Sequence, residues 1–181
     1  MKHLFKTALM GLALSTSLSA STLLAATQSS EVAWKNVPTQ TLTAGGVNFA
    51  YRELGQHHGG TPLVLLTHRA AVLDNWDPRI IDGIAAQHHV IAFDNRGIGA
   101  SSGSPSSSVE EMAADAITFI KAKGFQKVDL LGFSLGGMVA QEIVLKEPPL
   151  VRKMVLAGTG PAGGEGVSTV AGVTVYDMAR G

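Results

Sequence analysis

One serine stands apart because of its neighbours. In Val128-Asp129-Leu130-Leu131-Gly132-Phe133-Ser134-Leu135-Gly136-Gly137-Met138-Val139-Ala140 an apolar run of strand character meets a hydroxyl between two close glycines, then passes into a helical pattern. The spacing predicts a strand, a tight turn and a helix, with Ser134 at the tip. Gly132 and Gly136 leave room for a bend in which side chains would collide. Ser134 would then sit in strained backbone geometry, its oxygen pushed beyond the end of the sheet. The following helix would aim its free N–H groups and positive dipole end at that oxygen. A hydroxyl so placed suits nucleophilic attack, provided that a base takes its proton and an acid orients the base. The plainer alternative is a glycine-rich strand-to-helix turn with an incidental serine.

The elements needed to hold such a tip are readable around it. Residues 39–43 and 47–54 alternate on either side of Ala44-Gly45-Gly46 and predict a β-hairpin. Residues 63–67 and 90–93 are apolar runs, as expected of strands buried on both faces, and residues 151–157 read as one further strand. Residues 127–131 are the strand entering the turn. Asp77-Pro78 supplies an N-cap and a first-turn proline for a helix to about Gln87, with Ile80, Ile81 and Ile84 facing the sheet. Ser108-Val109-Glu110-Glu111 reads as a capping box, and Val109, Ala113, Ala116, Ile117 and Ile120 recur at helical spacing up to Lys123-Gly124. The helix after Ser134 should bury Val139, Ala140, Ile143 and Val144 and stop at Pro148-Pro149. Strands alternating with helices predict a mostly parallel α/β sheet with flanking helices. Ligands bind such sheets at the carboxyl ends of the strands, where Ser134 and the loop 68–76 both fall.

Composition narrows the functions available. With 181 residues one domain is expected, and the 45% hydrophobic content is enough for a sizeable core. Fourteen basic residues balance fourteen acidic ones, so no long-range field points to nucleic acid or an anionic membrane. The absence of cysteine excludes disulfides, thiolate catalysis, Cys-based zinc sites and a lipoprotein anchor. The neighbouring histidines His57-His58 and His88-His89 read as solvated loop and helix-end residues, and no metal site is assigned. Gly97-Ile98-Gly99 follows a strand, but the polar stretch after it, broken by Pro105, is no helix able to receive a pyrophosphate. No cofactor is expected.

The N-terminus reads as an address. Lys2 and Lys6 precede an apolar core at 8–14, and small residues follow to Ala25-Ala26. That order predicts a signal peptide over residues 1–26, cleaved near Ala26 or alternatively Ala20, and a periplasmic or secreted product. A membrane anchor is the alternative, since no charge lies between Thr7 and Ser30. Six Ser/Thr between Ser15 and Thr22 dilute the run below what a spanning helix wants, so no stable span is expected after cleavage.

Gly132-Phe133-Ser134-Leu135-Gly136 in its strand–turn–helix context, with Asp94-Asn95-Arg96-Gly97-Ile98-Gly99-Ala100-Ser101 after the fourth strand, resembles the α/β-hydrolase family. The resemblance implies a nucleophile elbow at Ser134 and a small-molecule acyl substrate. It implies oxyanion donation from the N–H groups of Ala70 and Leu135, and a structural brace at Asp94–Ser101. Arg69 stands where the family's loop has a glycine. In the family the acid and then the histidine follow the serine. Here the histidines are at 3, 57, 58, 68, 88 and 89, and only Glu142, Glu147, Glu165 and Asp177 supply carboxylates after the elbow. His68, on the loop at the right end of the sheet, is given a structural role.

The resemblance covers the hairpin through the sixth strand. It predicts an incomplete fold lacking the last two strands and most of the cap, with residues 162–181 as the cap's start. Such a chain is expected to be weakly active or inactive as a hydrolase of ester-like or other acyl substrates. Its sixth strand would be an open apolar edge that invites self-association. A non-catalytic binding module and a cofactor-free haloperoxidase or perhydrolase are the other two readings.

Overall fold

The computed structural model describes residues 33–161. Six strands form one sheet: β1 (Gln40–Ala44), β2 (Val47–Leu54), β3 (Leu63–Leu66), β4 (Val90–Phe93), β5 (Val128–Phe133) and β6 (Val151–Ala157), in the order β1-β2-β4-β3-β5-β6. The first two make the antiparallel hairpin, in register Ala44 with Val47, turning through Gly45 and Gly46 at φ 55° and 77°. β2 runs antiparallel to β4, whereas β4, β3, β5 and β6 are mutually parallel. The expected mostly parallel α/β sheet is therefore present.

Helices cover both faces. Along β3 the side chains alternate, so Val64 and Leu66 enter one core and Leu65 the other. The first core joins β2, β4 and β5 to α2 (Val109–Ala122) and α3 (Leu135–Lys146), and Phe119 lies at its centre. That ring stacks on Phe93 at 4.5 Å and meets Phe49 and Tyr51 edge-on, each at 5.7 Å. The second core gathers Trp34, Leu65, Trp76, Val90 and Ala92 around α1 (Pro78–Ala85).

Three expectations need correcting. α1 ends at Ala85, because the last N–H groups turn back in mixed fashion, Ala86 to Asp82 and Gln87 to Ile84. Ile80 does not face the sheet but is 53% exposed, since the buried stripe runs through Ile81 and Ala85. Val144 is only half-buried. The cap of α2 is as expected at Ser108, whose hydroxyl accepts from the Glu111 N–H at 3.2 Å. The Glu111 carboxylate, however, reaches back to the Ser107 N–H at 2.7 Å. No described helix is long and apolar enough to cross a membrane. The predicted signal peptide and cap segment lie outside the described residues.

Candidate active site

Ser134 is the junction between β5 and α3, with φ 53° and ψ −117°. Among the described residues only Ser134 and Ala70, at φ 58°, are non-glycines with positive φ. Backbone held there costs of order 1–3 kcal/mol per residue, and surrounding structure must enforce it. At the elbow glycines permit that enforcement. A Cβ on Gly132 would lie 2.5 Å from the Gly136 carbonyl oxygen, and one on Gly136 would run into the Leu66 carbonyl. Backbone thus passes directly against backbone where β5, β3 and α3 converge.

The tip is also tied from the far side. The Ser134 N–H donates to the Ala157 carbonyl at 3.0 Å, and the Ser134 carbonyl accepts from the Thr159 hydroxyl at 2.6 Å. Gln141 closes the arrangement by donating to the Gly160 carbonyl at 2.9 Å. Ser134 remains half-buried, between a fully enclosed and a fully exposed position. Phe133 is exposed and meets the His68 ring edge-on at 5.6 Å.

Leu135 is the first residue of α3, so its N–H has no intrahelical acceptor. In the loop after β3, Ala71 donates to the His68 carbonyl at 3.3 Å, leaving the Ala70 N–H without an acceptor among the described residues. Both Ala70 and Leu135 line one cleft of about 270 Å³, together with Arg69, Asn95, Arg96 and Ser106. Ser134 itself does not line that cleft. The two candidate donors are therefore brought together, with the serine adjacent through Leu135.

Asp94 positions this loop. Its buried carboxylate accepts from the Leu73 N–H at 2.8 Å and from the Ala100 N–H at 3.0 Å. Ser101 donates to the Asp94 carbonyl at 2.7 Å and accepts from the Ala50 N–H at 2.9 Å. Arg96 holds Asp115 on α2 with two hydrogen bonds, the Nε one at 2.8 Å, and Ser106 adds a third at 3.0 Å. That contact with Asp115 holds the Arg96 guanidinium above its ordinary pKa. This is the geometry of a brace linking the loop, the hairpin and α2.

Arg69 occupies the family's glycine position without needing a glycine's backbone freedom. The left-handed residue is Ala70, so an arginine at 69 meets no steric conflict. His68 turns its Nδ1 to the Arg69 carbonyl at 3.1 Å and forms no hydrogen bond with Ser134. Glu142 and Glu147 pair with Lys146 and Lys121, as solvated helix charges do. Glu165 and Asp177 lie outside the described residues.

Sequence spacing did not reveal Thr159, because its partner is 25 residues away in sequence. No described cluster of His, Asp or Glu is arranged to hold a metal ion.

Residues 61–177 match the model of the alpha/beta hydrolase fold family, and the chain belongs to that family. It is 32% identical over 114 residues to a Mycobacterium tuberculosis protein described as a non-heme bromoperoxidase, covering 62% of this chain and 42% of that one. An Azorhizobium caulinodans protein described as a carbamate hydrolase is 32% identical over 113 residues, with the same two coverages. Among solved structures, an alpha/beta hydrolase fold protein from Chitinophaga pinensis superimposes with TM-score 0.67 at 40% identity. It covers 69% of this chain and 45% of its own. The chain thus spans less than half the length of each of these relatives.

Proposed function

We propose that this polypeptide carries the nucleophile half of a serine hydrolase acting on ester-like or other acyl substrates. Ser134 Oγ attacks the carbonyl carbon, and its proton passes to a base. Negative charge developing on the carbonyl oxygen is met by the N–H groups of Ala70 and Leu135, donors fixed before the reaction begins. The tetrahedral adduct collapses by expelling the alcohol or amine, which takes up that proton, and water then releases the acid from Ser134. One observation carries the proposal: a serine held at φ 53° and ψ −117° where glycines let three backbone segments converge.

No histidine follows Ser134 in this sequence. The base is accordingly assigned to a longer form of the protein, and the 181 residues alone are proposed to turn over weakly or not at all. In a well-studied triad, removing the histidine costs roughly 10⁶ in turnover, with about 10³–10⁴ over water surviving. Export by the N-terminal 26 residues is part of the same proposal, checked by the N-terminal sequence of the secreted protein.

Labelling with a fluorophosphonate tests the nucleophile without needing full turnover. Modification of Ser134 above the level of a Ser134→Ala control is expected. Equal labelling of both would leave only a non-catalytic binding module. The bromoperoxidase relative favours a second reading, perhydrolysis, in which the same serine and donors process a carboxylic acid and peroxide. Peracid formation from acetate and hydrogen peroxide by the longer form would distinguish it.

A further inference from the structure

We propose that Arg69 makes the cleft select acyl compounds bearing a second, negatively charged group: half-esters of dicarboxylic acids. This rests on the cleft beside Ser134 being the acyl site, and it adds the substrate's chemical class.

Five arginines are described, and four are engaged by an aspartate: Arg52 with Asp74, Arg79 with Asp77, Arg96 with Asp115 and Arg152 with Asp129. Arg69 has no such partner among the described residues. It is exposed, and it lines the same cleft as Ala70 and Leu135. Among the described residues no carboxylate lines that cleft, and Asp115 compensates the charge of Arg96 from behind. The remaining field is that of one uncompensated guanidinium plus the positive end of α3, both favouring an anion. Asn95 and Ser106 on the wall are neutral hydrogen-bonding groups that an anion tolerates.

Backbone geometry does not explain the arginine, since the strained position is Ala70. Its planar fork matches a carboxylate in bidentate fashion, which an ammonium or an amide does not. Arg69 directly precedes the donor at Ala70, so a ligand with its carbonyl at the Ala70 N–H would carry its second acid group toward the guanidinium.

The test is binding to the full 181-residue chain, followed through the amide resonances of Ala70 and Leu135. Monomethyl glutarate is compared with dimethyl glutarate, which has the same skeleton without the charge. The anion is expected to bind about tenfold more tightly, a charge-assisted contact discounted for exposure, and to shift both amides. Arg69→Gln should bring the ratio to about one, Arg69→Lys should restore part of it, and high salt should narrow it. Equal affinities in the wild type, a preference surviving Arg69→Gln, or shifts confined elsewhere would each make Arg69 an ordinary solvated cation. Because no turnover is read, such a failure stays separate from failure of the nucleophile, which fluorophosphonate labelling of the wild type reports.

Discussion

The two ends of the parallel strands treat polar groups in opposite ways. At the carboxyl end, among the described residues, lie both strained non-glycine residues, two N–H groups without acceptors and a half-buried hydroxyl. At the amino end, where β2 finishes and β4 starts, Glu53 accepts from Lys123 at 2.9 Å and pairs with His89 at 3.0 Å. Lys123 also reaches the Tyr51 hydroxyl at 3.3 Å and lies 4.4 Å from that ring's centre, while Tyr51 donates to Gln40 at 2.9 Å. A histidine, a glutamate, a lysine and a tyrosine sound catalytic, yet here each spends its bonds on another. The comparison teaches that residue types do not mark a site; bonds left open under strain do.

The largest effect should come from filling the elbow. Gly136→Ala puts a methyl group onto the Leu66 carbonyl, against the Leu66–Thr67 backbone and with no flexible side chain to give way. A loss of roughly 3 kcal/mol is expected, read as a lower urea midpoint, with loss of Ser134 labelling. A variant as stable as the wild type would mean that the strands do not converge as described.

Breaking the closed end should cost about 2–3 kcal/mol and leave the open end untouched. Glu53→Gln removes the anion between two partners whose side chains, like its own, are only 12–14% exposed. Stability should fall while fluorophosphonate labelling stays at the wild-type level. Altered labelling would show the two ends to be coupled.

The same cluster sets a pH window. The His89 hydrogen bond, against the opposing effect of burial and aided by Lys123, holds Glu53 below its ordinary 4.5. Its contribution is present above 4.5 and fades as pH falls through the lower folded value. Burial pulls Lys123 down, but bonds to Glu53 and Tyr51 outweigh it and hold the amine above 10.5. That contribution is full below 10.5 and fades as pH rises through the higher folded value. Urea midpoints across pH should therefore show the wild-type advantage over Glu53→Gln shrinking at both extremes. A constant difference would argue against the ion pairs.

Most of the scaffold was legible because buried parallel strands write themselves as apolar runs. β3 at Leu63–Leu66 and β4 at Val90–Phe93 follow directly, and the turn at Ser134 was visible from its glycines set between a strand pattern and a helical one. β6 also shows the exposed apolar side chains foreseen for it, at Met154, Val155 and Leu156. Ile80 misled because four apolar positions near one another on α1 cannot all lie on a stripe one residue wide. What stayed hidden depends on distance along the chain. Glu53 and Lys123 are 70 residues apart, Asp94 and Leu73 are 21 apart, and no local pattern links such pairs. The brace role of Asp94–Ser101 came only through the family resemblance. Nor does the sequence show that the left-handed residue of this loop is Ala70 rather than the neighbouring Arg69, which stands at the family's glycine position.

The smallest effect is the one that separates strain from chemistry. Ser134→Ala and Ser134→Gly both remove the hydroxyl, so both should abolish labelling. They differ in backbone demand. Alanine keeps its Cβ at φ 53°, and its stability should stay near that of the wild type. Glycine adopts positive φ without steric cost, although it also frees the unfolded chain. Relief of about 1–2 kcal/mol less that entropy leaves a net gain of roughly 0.5–1 kcal/mol. Equilibrium unfolding should therefore rank glycine above alanine and the wild type, the order expected where stability has been given up to hold a reactive group. If glycine proves the least stable, the bend at Ser134 is relaxed, and the open end of the sheet differs from the closed end only in what happens to touch it.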